Sequence, residues 1–292
     1  APEPGTTRFN QDFGTLEFFD GANWKTVNSY ARPDGGGRGV LGGGADPSDT
    51  TRIDYLNLTS GGNASNFGDL TDARTQLGGA SSSIRGLFAG GDPGPSTSDV
   101  IEYVTIASAG NGIDFGNLIT AGRLPSASSS STRAIFSGEN TTNVISYVEI
   151  STLGNALDFG DLTNVSGDKG TATSSPTRFF HASGNSTNPQ IIEYGTISSK
   201  GNTITFGDLN YGGTSFRKPR GTSNGIRGIF AGGYDNSSPY PGLKQINYIT
   251  MATIGNALDF GELTITRESA FSTSSQIKSI HAGGQSDASG SG

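Results

Sequence analysis

The chain of 292 residues repeats itself with a period of roughly 47 residues. One pattern, R-G-x-F-x-G-G, then x-I-x-Y-x-x-I, then G-N-x-x-D-F-G-x-L-T-x-x-R, can be laid over the sequence five times between Arg38 and Arg267. Two aromatic columns keep register, because each tyrosine precedes a phenylalanine by 12 residues. The columns are Tyr55, Tyr103, Tyr147, Tyr194 and Tyr248, and Phe67, Phe115, Phe159, Phe206 and Phe260. A repeat of this size predicts an array of small units rather than one large core.

Each copy is predicted to contain four short strands, illustrated here by the second copy. Residues 76–83 are small and polar, and residues 85–91 alternate and end in two glycines. Residues 100–106 are β-branched and aromatic, and residues 112–118 follow a recurrent Gly-Asn pair that tolerates the positive φ of a tight turn. No stretch shows a sustained helical stripe, so the chain is predicted to be all-β.

The repeat resembles the kelch repeat, through an arginine that opens the first strand, a double glycine that closes the second, a tyrosine in the third and an aromatic residue in the fourth. The departures are a phenylalanine where kelch repeats have a fourth-strand tryptophan, and Gly138-Glu139 and Ser183-Gly184 in place of the double glycine. The resemblance implies a divergent β-propeller with four-stranded antiparallel blades.

Six blades are predicted. The last copy supplies two strands, at about 266–284, and the N-terminal segment at about 15–27 matches the missing half, since Leu16-Glu17-Phe18 fits I-x-Y and Trp24 takes the phenylalanine position. Pairing of both chain ends would close the sixth blade and remove open edges. The alternative is five blades with an appended N-terminal hairpin. We expect one domain over residues 1–292, with an arm at 1–14 and a Gly/Ser-rich tail at 285–292.

Composition restricts the classes of partner. Hydrophobic content is 32% and there are 46 glycines, which suits many small layers between blades. The net charge is −7 and basic residues are spread along the repeats, so we expect no nucleic-acid partner. No segment approaches 18 apolar residues, so we expect no membrane insertion. The chain has no cysteine and therefore no disulfide or thiol chemistry.

The sequence offers no catalytic set, metal site or cofactor motif. His181 and His281 occupy a second-strand column that holds phenylalanine in other copies, and are interpreted as packed rings. Zinc, calcium, nucleophile-elbow and phosphate-loop patterns are absent. Two basic columns could bind an anion, but because acids recur beside them we expect structural pairing with carboxylates. These columns are Arg74, Arg123, Arg217 and Arg267, and Arg38, Arg85, Arg133, Arg178 and Arg227.

A ligand site is predicted where the copies differ, in the loops between second and third strands. The longest of these loops, in the fifth copy, carries Tyr234, Asp235, Asn236 and Tyr240. An exposed aromatic ring stacks on a sugar while Asp and Asn bind its hydroxyls, so these four residues are the candidate carbohydrate site. An ordinary proline-rich loop is the alternative.

The first two dozen residues resemble a hairpin pattern of tailed-phage virion proteins, G-x-x-R-[FY]-N-x-x-x-G-x-L-E-x-[FY]-D-G-x-x-W, matched here from Gly5 to Trp24. The resemblance implies a non-enzymatic virion protein, made in the host cytoplasm and displayed on the particle for host adhesion, decoration or assembly. The implied partners are other virion proteins and a host cell-surface glycan or receptor. Two alternatives remain: a glycan-processing enzyme with its site on the variable loop face, and a pure scaffold subunit.

Overall fold

The structure is a computed structural model that describes residues 2–10, 15–26, 37–45, 48–166, 170–182, 184, 188–212, 216–235, 241–275 and 277–285. These residues form 26 strands and one short 3-10 helix, Glu139–Thr141, so the all-β prediction is confirmed. All strand pairs are antiparallel, and the arrangement is compatible with a propeller. The chain divides into two compact units, Ala1–Asp34 and Gly35–Gly292. A single domain over the whole chain stays a prediction.

The first unit is a three-stranded sheet. Its strands are β1 (Thr7–Asn10), β2 (Thr15–Phe19) and β3 (Trp24–Thr26), in the order β1-β2-β3. The turn before β3 is fixed by Asp20, whose Oδ1 accepts hydrogen bonds from the backbone N–H groups of Ala22 and Asn23 at 2.9 and 2.7 Å.

The second unit contains the repeats. Sheet 1 has three strands: β4 (Arg38–Gly42), β5 (Arg52–Asn57) and β6 (Ser65–Asp69). Sheet 2 has β7 (Gly78–Ser81), β8 (Arg85–Ala89), β9 (Val100–Thr105) and β10 (Ile113–Asn117). Sheet 3 has β11 (Ser126–Ser129), β12 (Arg133–Ser137), β13 (Val144–Glu149) and β14 (Leu157–Asp161). Sheet 4 has β15 (Thr171–Ser174), β16 (Arg178–Ala182), β17 (Ile191–Thr196) and β18 (Ile204–Asp208).

The remaining strands belong to the last two copies. A two-stranded ribbon joins β19 (Phe216–Arg217) to β22 (Tyr234–Asp235). Sheet 5 has β20 (Arg220–Ser223), β21 (Arg227–Ala231), β23 (Gln245–Thr250) and β24 (Leu258–Glu262), and sheet 6 has β25 (Phe271–Ser274) and β26 (Ser279–Ala282). The four-strand repeat predicted from the sequence is therefore complete in sheets 2 to 5.

The x-F-G segment of each copy, which is D-F-G in three of the five, forms a β-bulge in the fourth strand. In sheet 2, Asp114 pairs with Glu102 and Gly116 with Ile101, so Phe115 is the extra residue. Gly116 has φ 144°, which L side chains rarely adopt. The bulge turns Phe115 inward against Tyr103, with ring centroids 6.0 Å apart. The same edge-on contact recurs in the other copies, which explains the fixed spacing of the two aromatic columns.

The fourth strands of sheets 1 to 4 also bind the Gly-Asn pair of the following sheet. In sheet 2, the Phe115 carbonyl accepts a hydrogen bond from Gly154 N at 2.8 Å, and Asn155 Oδ1 accepts one from Asn117 N at 3.1 Å. Equivalent contacts join sheets 1 and 2, 3 and 4, and 4 and 5. The Gly-Asn pair is therefore an intersheet connection as well as part of a loop.

The predicted sixth blade is not formed as expected by the described strands. The predicted third strand, β2, pairs with β1 on one edge and β3 on the other, while β25 and β26 form a separate two-stranded sheet. The sequence match at Leu16-Glu17-Phe18 did not anticipate Thr7–Asn10. That strand takes the second edge of β2 within the first unit. Closure of a sixth blade by both chain ends therefore stays a prediction.

Candidate functional site

The four residues of the predicted carbohydrate site are only partly described. Tyr234 and Asp235 form β22, whereas Asn236 and Tyr240 lie outside the described residues. Tyr234 is 9% exposed, and Lys218 Nζ lies 5.7 Å from the centroid of its ring. Little of the Tyr234 ring is therefore open for stacking on a sugar. The assignment of this loop to a ligand stays a prediction.

The second-strand arginines connect neighbouring sheets. Arg85 Nη1 donates to the carbonyl of Ile150 in the next sheet at 2.7 Å, and the guanidinium lies 4.6 Å from the ring centroid of Tyr103 in its own sheet. Arg38, Arg133 and Arg178 donate to carbonyls in the same way. Carboxylates were the expected partners, and Arg133 has one, since its Nε donates to Glu149 Oε1 at 2.6 Å. The partners that these four arginines share are instead carbonyls just after the third strand of the next sheet, which need donors there.

The arginines that precede the first strands differ from one another. Arg74 is 1% exposed and forms a buried ion pair with Glu102, while its Nη1 donates to the carbonyls of Gly90 at 2.9 Å and Val100 at 3.1 Å. Glu102 also accepts a hydrogen bond from Thr71 N at 2.7 Å, which joins sheet 1 to sheet 2. Arg123 instead forms a partly exposed pair with Asp92 at 3.6 Å. Carboxylate pairing is therefore observed in this column, and it supports the scaffold.

Both histidines lie in the phenylalanine column, as predicted, and both have polar partners. His181 is buried, with Nδ1 2.9 Å from Ser137 Oγ and Nε2 3.0 Å from Ser166 Oγ. His281 Nε2 lies 2.9 Å from Ser279 Oγ, and burial lowers the pKa of His281 to about 4. The neighbouring serines are the sequence signal by which these hydrogen-bonded histidines could have been told apart from rings that only replace phenylalanine.

A buried carboxyl group occurs where sheet 3 departs from the double glycine. Glu139 is 1% exposed and begins the 3-10 helix, which follows Gly138 in a left-handed conformation. Ser146 Oγ donates to Glu139 Oε1 at 3.3 Å, and Oε2 has no partner among the described residues. Burial raises the pKa of Glu139 to about 7. The sequence did not reveal this buried carboxyl group.

A cavity of about 230 Å³ lies between the first strands of the sheets. Part of its wall is a row of equivalent serines, one from each of five sheets. Each serine from the second onwards donates its Oγ hydrogen to the backbone carbonyl of the serine in the preceding sheet, at 2.6 to 2.8 Å. These serines are Ser81, Ser129, Ser174, Ser223 and Ser274. Of the described lining residues Arg38 is the charged one, so the wall lacks a pair of groups for acid–base chemistry. In the sequence these serines stood out only as part of a small, polar first strand.

The residues of the N-terminal hairpin pattern form one network within the first unit. Arg8 Nε donates to Glu17 Oε2 at 2.9 Å, and the Arg8 guanidinium lies 4.1 Å from the centroid of the Trp24 ring. Asn10 Nδ2 donates to Glu17 Oε1 at 3.0 Å. These hydrogen bonds lower the pKa of Glu17. The pattern therefore specifies the contacts that hold the three strands together.

Within the described ranges, no cluster of His, Cys, Asp or Glu side chains is arranged to hold a metal ion. No helix in this part of the chain is long and apolar enough to cross a membrane. Neither a scan against protein-family models nor a search of curated proteins gave a match to this chain.

Proposed function

We propose that the second unit is a divergent kelch-like propeller with six angular positions, and that the chain is a non-enzymatic structural protein of a tailed-phage particle. The propeller proposal is supported by contacts at both ends of the series. Ser274 Oγ of sheet 6 donates to Ser223 O of sheet 5 at 2.8 Å. On the other side, Lys278 Nζ donates to Thr59 O of sheet 1 at 3.5 Å, as the arginines do between the other sheets. Both contacts support a series of sheets that returns from sheet 6 to sheet 1.

The observation that carries the virion proposal is the N-terminal pattern. The contacts among its residues join Arg8 to Glu17 and Trp24, and Asn10 to Glu17. These contacts explain why the segment that resembles phage virion hairpins has these residue types at these positions. The particle surface would display the propeller in many copies, and multivalency would convert weak contacts into firm attachment. Its partners would be other virion proteins and a host cell-surface glycan or receptor.

The experiment that tests the virion proposal is electron microscopy of the phage particles whose genome encodes this chain, labelled with gold-conjugated antibody against the second unit. We expect label at one defined position on intact particles. Particles without label, combined with free protein in the infected-cell lysate, would remove the virion proposal. Binding of the purified chain to a glycan array would then separate adhesion from decoration.

A further inference from the structure

The hairpin turn between the first and second strands is capped by a side chain in sheets 2 to 6. In four of these sheets the capping residue is a serine, whose Oγ accepts hydrogen bonds from two backbone N–H groups at 3.0 to 3.4 Å. These serines are Ser82, Ser130, Ser175 and Ser275. In sheet 5 the capping residue is Asn224, whose Oδ1 accepts from Ile226 N at 3.0 Å and Arg227 N at 2.8 Å. Sheet 5 therefore has a carboxamide where the other sheets have a hydroxyl.

The residue after Asn224 is Gly225, and the lack of a Cβ leaves the main-chain nitrogen of glycine open to approach by the preceding side chain. Gly225 has φ 86°, and its N has no acceptor among the described residues. The two N–H groups that bind Oδ1 hold the carboxamide over this peptide and draw electron density from Cγ, as the donors of an oxyanion hole do. The exposed turn thus brings a nucleophilic nitrogen and a polarised carbonyl carbon together.

The chain has a second Asn-Gly pair, Asn111–Gly112, which is also exposed at its asparagine but differs in its contacts. Gly112 N donates to Asp69 O at 2.8 Å, and Asn111 Oδ1 accepts from Asp69 N at 3.1 Å. Both groups that would react with each other are therefore held by another sheet.

A third asparagine, Asn57, has the capped side chain without the glycine. Its Oδ1 accepts from Thr59 N at 2.8 Å and Ser60 N at 3.0 Å. The next residue is Leu58, whose N donates to Gly37 O at 2.8 Å. Of these three asparagines, Asn224 is the one that combines a following glycine, a capped Oδ1 and a main-chain nitrogen without an acceptor in the described part of the chain.

We propose that Asn224–Gly225 is a self-modification site, at which the chain converts its own Asn224 to a mixture of aspartate and isoaspartate. Hydroxide takes the proton of Gly225 N, the nitrogen forms a bond to Cγ, and the bond from Cγ to Nδ2 breaks. Nδ2 takes a proton from water and leaves as ammonia. A second water opens the resulting cyclic imide: attack at Cγ gives aspartate, and attack at the main-chain carbonyl carbon of residue 224 gives isoaspartate. The inference depends on neither the propeller nor the virion proposal.

The two products should affect sheet 5 differently. Asp20 in the first unit shows that a carboxylate fits such a cap, since its Oδ1 accepts from Ala22 N and Asn23 N at 2.9 and 2.7 Å. Aspartate at position 224 should therefore keep the turn. Isoaspartate adds a methylene to the main chain, and because the turn sets the register of a hairpin, it should loosen the pairing of β20 with β21.

The test incubates the full chain at mildly alkaline pH, folded and in urea, and follows both Asn-Gly pairs by peptide mapping with mass spectrometry. In the folded chain Asn224 should convert about tenfold or more faster than Asn111, because Asn111 and Gly112 must first break their hydrogen bonds to Asp69. In urea the two pairs should convert at similar rates, because the contacts that distinguish them are lost. Methylation by a protein isoaspartyl methyltransferase identifies the isoaspartate product.

The matched control is Asn224→Ser, which keeps the cap of the four other sheets and removes the carboxamide. Hydrogen exchange in β20 and β21 should rise with incubation time in wild type and stay constant in this variant, and circular dichroism checks that the variant is folded. A rate ratio in the folded chain that equals the ratio in urea, or conversion of Asn224 in urea alone, would overturn the proposal. Isoaspartate at position 224 without a rise in hydrogen exchange would overturn the effect on the hairpin.

Discussion

Sheets 2 and 3 have the same four-strand frame, yet each buries a carboxyl group in a different environment. In sheet 2, Glu102 lies opposite Phe88 on the neighbouring strand and is paired with Arg74. In sheet 3, Ser146 lies opposite Phe136, and the carboxyl group comes instead from Glu139, which has this serine as its hydrogen-bond donor. One carboxyl group has a buried cation as its partner and the other has a neutral hydroxyl.

The comparison shows that polar substitutions in this scaffold occur in sets. At equivalent positions, sheet 2 has Ala89, Gly91 and Glu102, where sheet 3 has Ser137, Glu139 and Ser146. The set extends into sheet 4, because Ser137 contacts the ring of His181. Each buried polar atom that is introduced needs a partner, so changing one position favours changes at its neighbours.

The largest effect is expected from Arg74→Met in sheet 2. The substitution leaves Glu102 buried without its cation, and removing one partner of a buried pair costs about 3–5 kcal/mol. Urea denaturation of wild type and variant should show this loss in the free energy of unfolding. Adding Glu102→Gln to the variant should recover most of it. A loss below about 1 kcal/mol in the single variant would show that the pair is not buried in solution.

A pH-dependent effect is expected from Glu139 in sheet 3. Its pKa is about 7 in the folded chain against 4.5 as the ordinary value, so between these pH values the unfolded chain releases the proton first. Stability should therefore fall as pH rises from 4.5 to 7, by on the order of 3 kcal/mol, and level off above that range. Unfolding curves of wild type and Glu139→Gln across this range measure the effect.

The difference in unfolding free energy between wild type and Glu139→Gln isolates the contribution of the Glu139 carboxyl group. His281 has the opposite pH dependence, because its lowered pKa makes stability fall as pH drops from 6.5 to about 4, and this contribution is common to both. A constant difference between wild type and Glu139→Gln over pH 4.5 to 7 would mean that Glu139 is solvated, which would remove the contrast with Glu102.

A smaller effect is expected from His181→Phe, although phenylalanine occupies this column in sheets 2, 3 and 5. The substitution removes the ring nitrogen that contacts Ser137 Oγ, and a larger ring would press on Gly138 and Gly170, which lie close to the imidazole. We expect a loss of about 1–3 kcal/mol. A double-mutant cycle with Ser137→Ala measures the coupling. Additive losses would show that His181 and Ser137 do not interact.

The sequence predicted the features that depend on neighbouring residues of one copy. The Tyr–Phe columns, the strand order and the histidine positions follow from spacing along the chain, because a hairpin brings nearby residues together. The partner of Arg85 was missed for a physical reason: it is the carbonyl of Ile150, and every residue has a carbonyl. The pairing of Thr7–Asn10 with β2 was not anticipated, because a repeat alignment does not detect a strand outside the repeat. For the candidate loop, the sequence predicted an exposed Tyr234 because the loop varies between copies. Its burial depends on residues outside the loop, such as Lys218, which lies over its ring.

The smallest effect is expected from Arg123→Met, the counterpart of Arg74→Met in the next copy. Arg123 and Asp92 are 46% and 27% exposed at the side chain, and their charged atoms are 3.6 Å apart. Solvent screens such a pair, so we expect a change of about 0–1 kcal/mol in the free energy of unfolding, decreasing further at 1 M salt. The same denaturation experiment measures both arginines under one set of conditions. If Arg123→Met lost as much stability as Arg74→Met, the strength of the pair would depend on its position in the repeat and not on burial.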